Sequence, residues 1–227
     1  MTRDQACLAM WWSMDAQQRP EFEHWHSHEH FPERLRIPGF LRASRWLDAN
    51  GGEGVFVMYE LASHETLSSP AYLERLNAPS PWSQRMMPLH RSMVRCQCQV
   101  LASAGGTVAR HALTVQLSPA AGRSQELRGA LAGLTRELAG RPGFAGGHLL
   151  QHQAPGIAET TEQKIRGGDA AADWIFVATA YEAPALESLL QSALAEDALL
   201  AMGAAAGAVR GSYLLSHSAT PADVAGE

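Results

Sequence analysis

The tripeptide Pro-Gly-Phe occurs twice in this chain of 227 residues, at positions 38–40 and again at 142–144. Each copy follows a segment with helical apolar spacing and precedes a run of β-forming residues. A proline followed by a glycine stops an α-helix, so each copy predicts the turn from a helix into a strand. This recurrence predicts that the chain contains two structurally similar halves.

The first half contains four strand-like runs separated by helical segments and turn residues. The runs cover residues 6–14, 41–49, 55–61 and 93–102. Asn50-Gly51-Gly52 lies between the second and third runs and predicts an antiparallel hairpin. Helices are expected at about 19–35, with a kink at Pro32, and at about 64–76, and the proline-rich residues 77–88 are expected to form a loop. The order β-α-β-β-α-β predicts a ferredoxin-like unit.

The second half repeats this order. Its strand-like runs cover 110–117, 147–152, 174–181 and 209–216, and its helices are expected at 123–140 and 184–202. The hairpin connection at 155–172 is longer than its counterpart, polar and rich in glycine, and we expect it to be mobile. The domain boundaries are therefore predicted as 1–104 and 105–218, followed by a flexible tail at 219–227.

The apolar central strands of both halves indicate how these units bury their sheets. A ferredoxin-like unit has helices on one face of its sheet, so the other face needs a cover. Two tandem units in one chain can supply it to each other, sheet to sheet, as a pseudo-twofold α+β barrel. Two ferredoxin-like domains side by side remain the alternative.

Composition restricts the partners. The net charge of −5, the single lysine (Lys164) and the absence of a basic run argue against nucleic acid. No apolar run approaches the roughly 20 residues of a membrane-spanning helix, so no membrane partner is expected. Three cysteines are too few for a disulfide framework and favour a reducing, cytoplasmic location.

Four of the ten histidines fall at positions 24, 26, 28 and 30. In a helix, His26 and His30 share one face, and His24 and His28 share another. Such a pair can bind a metal or act as an acid/base near neutral pH, but for the second pair a solvated surface without a chemical role is the favoured interpretation. The zincin spacing His-Glu-x-x-His is absent, and no glycine-rich phosphate loop is present. We therefore expect no metal and no cofactor.

The run Glu29–Leu35 (EHFPERL), followed by Ile37–Phe40 (IPGF), resembles the dimeric α+β barrel superfamily in tandem, single-chain form, and its EthD-like members most closely. Such families carry a His-x-Pro in the first helix. The second half lacks this motif, so the resemblance implies a pocket in the first half. The superfamily includes cofactor-independent monooxygenases, lactone isomerases, polyketide cyclases, haem enzymes and binding domains. The resemblance is also compatible with a homodimer.

The residues that we expect at the site follow from this motif and its neighbours. His30 is the candidate acid/base, assisted by His26 or Glu29, and Arg45 is the candidate anion stabiliser. An ion pair with Glu60 is the alternative interpretation of an inward-facing arginine on that strand. The candidate ligand-binding residues are Trp25, Tyr72, Asn77, Trp82 and Arg85.

These features predict a small-molecule-binding α+β barrel. One hypothesis is a cofactor-independent enzyme of isomerase, cyclase or monooxygenase type that acts on a small apolar or aromatic compound. A non-catalytic ligand-binding or accessory barrel is the second hypothesis, and a haem- or metal-binding barrel is the third. The sequence leaves open whether the protein is an enzyme.

Overall fold

The computed structural model describes residues 5–224. The strands are β1 (Ala6–Ser13), β2 (Phe40–Asp48), β3 (Gly54–Leu61), β4 (Arg91–Gly105), β5 (His111–Leu117), β6 (Phe144–His152), β7 (Trp174–Ala180) and β8 (Val209–Ala219). The α-helices are α1 (Arg19–Trp25), α2 (Phe31–Leu35), α3 (Pro70–Asn77), α4 (Pro81–Met86), α5 (Ser124–Gly140), α6 (Thr161–Arg166), α7 (Ala183–Gln191) and α8 (Glu196–Ala201). A π-helical turn covers His26–His30, and 3₁₀ turns cover His64–Ser68, Met87–Leu89 and Pro221–Val224.

The described chain forms two compact units. Unit I consists of residues 5–98, 153–171 and 216–224, and unit II consists of residues 99–152 and 172–215. In unit I the strands run in the order β4, β1, β3, β2, β8, and in unit II in the order β8, β5, β7, β6, β4. Because β4 and β8 belong to both units, the eight strands form one closed antiparallel barrel, and the fold is of the mixed α+β class.

Both Pro-Gly-Phe copies form the predicted turn into a strand. Gly39 has a φ of +97°, and a Cβ at this position would lie 2.5 Å from Oγ1 of Thr66. The carbonyl of Gly39 accepts a hydrogen bond from the backbone of Ala62 at 2.8 Å. Gly143 has a φ of +89°, and its carbonyl accepts from the backbone of Tyr181 at 3.0 Å. Only glycine adopts this left-handed conformation readily, so both turns depend on it.

Each unit has its own apolar core. In unit I, alternate residues of β1 (Leu8, Met10 and Trp12) join the helices in one buried cluster, as the two-residue period of a strand requires. In unit II, α5 buries four leucines at helical spacing against the sheet, at positions 127, 131, 134 and 138. The predicted helix at 123–140 is therefore confirmed within one residue.

Residues 19–35 form the predicted helical segment, and its helical geometry changes next to Pro32, where the sequence predicts a kink. Pro32 has no backbone N–H to donate to the carbonyl of His28. The chain responds with the π-helical turn, in which the backbone N–H of Phe31 donates to the carbonyl of His26. The π turn joins α1 to α2, so the His-x-Pro motif marks a change of helical geometry.

Three further expectations about loops and ends need correction. The predicted loop at 77–88 contains α4, which begins where Ser80 accepts a hydrogen bond from the backbone of Ser83. The loop at 155–172, expected to be mobile, contains α6, which Thr160 and Gln163 start with a capping box. In the predicted tail, residues 219–224 complete β8 and form a 3₁₀ turn, whereas 225–227 lie outside the described residues. Across residues 5–224, none of the helices has both the length and the apolarity needed to span a membrane.

Candidate functional site

A narrow cavity lies within unit I, against the π-helical turn, β1, β3, the start of β4, and α6. Its volume is about 30 Å³, which is room for about one water molecule. Eight of the lining residues are apolar or aromatic: Leu8, Met10, Trp12, Trp25, Tyr59, Tyr72, Met87 and Met93. The other seven are polar or charged: His26, His30, Arg34, His90, Arg95, Glu162 and Arg166.

Unsatisfied polar atoms concentrate at this cavity. Among residues 5–224, eight buried side-chain nitrogen or oxygen atoms have no hydrogen-bond partner, and six of them belong to the cavity lining. These six are Trp12 Nε1, His30 Nδ1, Arg34 Nη1, Tyr59 Oη, His90 Nδ1 and His90 Nε2. Buried polar groups in folded proteins almost always have partners, so these atoms leave hydrogen-bonding capacity that water or another small polar molecule can satisfy.

The π-helical turn brings His30 to the cavity. Its ring packs against the ring of Trp25, with centroids 4.6 Å apart, and stacks on His26 at 5.3 Å. Burial, followed by the positive charge of Arg34, holds the pKa of His30 well below its usual value. His30 is therefore a neutral imidazole in this state, able to donate one hydrogen bond and accept another.

His90 belongs to the same aromatic cluster and also contacts Trp25, with ring centroids 5.9 Å apart. Its ring stacks on Trp12, with centroids 4.6 Å apart and planes inclined by 28°. Burial, followed by the charge of Arg166, lowers the pKa of His90 to about 3. The cavity therefore presents a second neutral imidazole, and both of its ring nitrogens lack partners.

Arg45 lies behind His26 and outside the cavity lining. Its Nη1 is 3.4 Å from Nδ1 of His26, and its Nη2 is 3.8 Å from a carboxylate oxygen of Glu23. Burial lowers the pKa of Arg45 to about 10, and burial followed by the Arg45 charge lowers that of His26 well below its usual value. The nearby Arg42 forms the ion pair with Glu60, at 3.3 Å.

Glu29 also lies outside the cavity lining. Its carboxylate accepts hydrogen bonds from Trp25 Nε1 at 3.0 Å, from the hydroxyl of Ser80 at 2.5 Å and from the hydroxyl of Ser83 at 3.4 Å. These bonds tie the π-helical turn to α4 and fix the indole ring that forms part of the cavity wall. The structure therefore places Glu29 as a support for Trp25 rather than as a partner of a histidine.

The structure separates the five sequence-based ligand candidates. Trp25 and Tyr72 line the cavity, and the phenol oxygen of Tyr72 accepts from Arg95 Nη2 at 2.8 Å. The other three lie outside the lining. Asn77 accepts from the backbone of Thr161 at 3.1 Å, Trp82 packs on His24 with ring centroids 5.2 Å apart, and Arg85 is exposed.

Eleven of the fifteen lining residues were not identified from the sequence, among them the polar residues Arg34, Tyr59, His90, Arg95, Glu162 and Arg166. The alternation of β3 gave a usable signal for Tyr59, since it puts this side chain on the same face as Val57 and Leu61. The spacing Thr160-x-x-Gln163 is a capping-box pattern and is a usable signal for the start of α6. No local pattern signals that the carboxylate of Glu162 pairs with Arg34, because 128 residues separate them.

The arrangement of donors does not resemble a metal site. In the described part of the chain, no three His, Cys, Asp or Glu side chains are grouped so that they could hold a metal ion. Cys96 and Cys98 are buried, and burial raises the pKa of the Cys98 thiol well above its usual value. The Cys98 thiol therefore stays protonated at neutral pH and is a poor metal ligand.

No protein-family model matches the chain, and no curated protein matches its sequence. Solved structures do resemble it. An anthrone oxidase-like protein aligns with a TM-score of 0.66 at 14% identity, over 98% of this chain and 95% of that chain. A candidate monooxygenase from Fusobacterium nucleatum subsp. nucleatum aligns with a TM-score of 0.65 at 6% identity, over 97% and 96%. A candidate monooxygenase from Lactobacillus acidophilus NCFM aligns with a TM-score of 0.61 at 9% identity, over 96% and 97%.

These similarities establish the fold. The chain shares the mixed α+β fold of these structures along nearly its whole length. Sequence identities of 6–14% carry no information about substrate or reaction.

Proposed function

We propose that unit I binds a small, mostly apolar or aromatic compound with a polar handle in the cavity beside His30. The carrying observation is that six buried polar atoms without partners surround one aromatic-lined cavity. Aromatic walls with a few convergent polar groups are typical of small-molecule sites. The present volume of about 30 Å³ requires the wall to open when an organic ligand enters.

We further propose a cofactor-independent reaction that begins with removal of a proton from an enolisable compound, as in isomerase, cyclase or monooxygenase chemistry. His30 is the proposed base, because its Nδ1 is buried at the cavity without a partner. The names of the similar structures, two candidate monooxygenases and an anthrone oxidase-like protein, agree with an oxidative version. In this proposal His26, whose ring stacks on that of His30 at 5.3 Å, holds the base in place, and Arg45 positions His26 through the contact of 3.4 Å between its Nη1 and Nδ1 of His26.

A non-catalytic binding protein is the second candidate, and one observation favours it. The pKa values of His26, His30 and His90 all lie below the usual value, so these imidazoles are weak bases in the closed cavity. Such neutral rings suit hydrogen bonding to a ligand as well as they suit catalysis.

The finer family assignment also belongs to this proposal. We propose that residues 1–104 and 105–218 are two copies of one ferredoxin-like unit in a chain of EthD-like type. In support, Phe40 and Phe144 each donate a backbone hydrogen bond three residues back, at 3.1 and 3.2 Å, and a register irregularity follows each. We also propose a reducing, cytoplasmic location, which the three buried cysteines suit, and a homodimer.

Deuterium exchange tests the proposed chemistry directly. The protein is incubated in D₂O with enolisable aromatic ketones, including anthrone, and loss of the acidic C–H signal is followed by proton NMR. We expect exchange above the buffer rate for the wild type, loss of that excess in His30→Ala, and no change in His28→Ala, which alters an exposed ring two residues away.

Thermal-shift measurements with the same compounds separate the two candidates. Ligands that raise the melting temperature without accelerating exchange favour the binding protein over the enzyme. The proposal of a small-molecule site is wrong if no compound binds to a folded wild-type sample. Equal exchange rates in His30→Ala and the wild type would remove His30 as the base.

A further inference from the structure

Residues 153–171, which join β6 to β7, are fastened to unit I at both ends. At the start, the backbone N–H of Gln153 donates to the carbonyl of Gln97 at 2.7 Å. Near the end, the backbone N–H of Ala170 donates to the carbonyl of Met93, and that of Arg95 donates to the carbonyl of Ala170. Between these two anchors the segment carries α6 across the cavity lining.

The helix α6 turns one acidic side chain inward. Glu162 is 4% exposed, whereas Ile165, one turn later, is half-buried against the core of unit I. A carboxylate at this depth is expensive to bury and persists only with a positive partner. Among the described polar groups of the cavity, Glu162 and Arg166 lie on this separately anchored segment, and Glu162 is the only acidic one.

Glu162 forms ion pairs with two arginines, only one of which has a second carboxylate partner in the described part of the chain. One carboxylate oxygen forms a short ion pair with Arg34, and the other lies 3.7 Å from Arg166. Arg166 also has Asp169, with two hydrogen bonds of 2.9 and 2.8 Å. Arg34 has no second carboxylate of this kind, and its Nη1 has no partner among the described residues. Arg34 is therefore the cation that needs an anion.

We propose that the cavity binds a small aromatic carboxylate, and that Glu162 occupies the carboxylate position on Arg34 until the ligand replaces it. The inference rests on the proposed binding function and names its ligand class. The rings of Trp25 and Tyr72 provide the flat apolar walls, and the guanidinium of Arg34 lies 5.8 Å from the centre of the Tyr72 ring. A planar guanidinium suits a carboxylate because it can donate two parallel hydrogen bonds.

The exchange keeps every charge paired. An incoming carboxylate neutralises Arg34 while Glu162 returns to water, and Arg166 retains Asp169. The segment also keeps its own internal bonds when it moves, because Thr160 and Gln163 form the capping box within it. Gly167 and Gly168 follow α6 with φ of +80° and +96°. Other residues adopt this left-handed conformation less readily, so these glycines supply a flexible hinge. Departure of α6 also provides the volume that an aromatic ring requires.

Calorimetric titration with benzoate and its neutral isostere benzamide tests this inference. The wild type is expected to prefer benzoate. Glu162→Gln removes the competing charge with almost no change of shape. If the state in which Glu162 has left Arg34 is populated to 10% or less in the wild type, this variant is expected to bind benzoate about tenfold or more tightly than the wild type does. The control Glu159→Gln removes an exposed charge from the same segment and should leave the dissociation constant unchanged.

A second pair of measurements keeps the test decisive. The double variant Arg34→Gln with Glu162→Gln leaves no unpaired charge and should lose the preference for benzoate, with circular dichroism confirming the fold. Hydrogen exchange of residues 160–168 in the wild type should accelerate when benzoate is added. The inference is wrong if Glu162→Gln does not tighten benzoate binding while benzamide still binds, and the proposed binding function then survives. If neither compound binds to any folded variant, both proposals fail.

Discussion

Two tyrosines of the cavity give opposite expected responses to the same substitution. The hydroxyl of Tyr59 is buried without a partner, whereas that of Tyr72 accepts a hydrogen bond from Arg95 at 2.8 Å. Tyr59→Phe removes an unsatisfied polar atom and keeps the ring contacts to Phe31 and Phe40, at 5.5 and 5.6 Å. Tyr72→Phe removes the acceptor of a buried, charged donor. We therefore expect Tyr59→Phe to stabilise the ligand-free protein and Tyr72→Phe to destabilise it.

The magnitudes follow from the burial of these groups. An unsatisfied buried polar group costs about 1–3 kcal/mol. One water molecule in the cavity of about 30 Å³ would satisfy the Tyr59 hydroxyl in part, so we expect a gain of about 1 kcal/mol. A hydrogen bond to a charged group contributes about 1.5–3 kcal/mol, which is the expected loss for Tyr72→Phe. For a chain of this size, each kcal/mol shifts the melting temperature by about 2–4 °C.

Thermal unfolding followed by circular dichroism, without ligand and at pH 7, measures both shifts under one condition. The expected result is a higher melting temperature for Tyr59→Phe and a lower one for Tyr72→Phe than for the wild type. Destabilisation of the same size in both variants would refute the reasoning, because it would show that the Tyr59 hydroxyl has a partner in the free protein.

Three other predictions concern pH, backbone conformation and buried charge. Because the pKa of His90 is about 3 in the folded state and about 6.5 when unfolded, the unfolded chain binds more protons between these values. The free energy of unfolding should then fall by about 1.4 kcal/mol per pH unit from pH 6.5 downward on account of this residue, and His90→Phe should flatten the slope in urea titrations. Gly39→Ala should destabilise the protein by clearly more than the roughly 1–2 kcal/mol expected for Gly51→Ala. A Cβ at position 39 would meet the side chain of Thr66, whereas no atom of residues 5–224 other than its chain neighbours lies within 4 Å of a Cβ at position 51. Equal losses in the two variants would contradict this expectation. Arg34→Met should lower the free energy of unfolding by about 3 kcal/mol, because it leaves Glu162 poorly paired. Adding Glu162→Met should restore most of this loss. A further loss in the double variant would count against the ion pair.

The part of the fold visible from the sequence is the part fixed by local chemistry. The two Pro-Gly-Phe turns need a left-handed glycine, and the leucine spacing at 127–138 follows the helical period, so both are predictable from a few neighbouring residues. The π-helical turn was visible only as an expected kink at Pro32. A missing N–H shows where a helix is disturbed, but it does not determine which hydrogen-bond pattern replaces it.

The site was less accessible to such reasoning, because long-range pairs form it. His30 lies in the motif and Trp25 lies in the same helical segment, and both line the cavity. Asn77 and Arg85, which were also predicted from the sequence, lie outside the lining. The carboxylate that neutralises Arg34 comes from Glu162, on a segment whose polar, glycine-containing composition favoured a mobile loop. A single sequence shows which residues are chemically capable, whereas the pairing of distant charges depends on the tertiary fold.

The most direct test of a ligand site in unit I is NMR of the histidine side chains in ¹⁵N-labelled protein. Saturating benzoate, benzamide or phenol should shift the ring nitrogen signals of His30 and His90, which line the cavity, and leave those of the exposed His24 and His28 unchanged. Shifts confined to the exposed rings, or no shift with any of the three compounds, would contradict the proposal that this cavity binds small molecules.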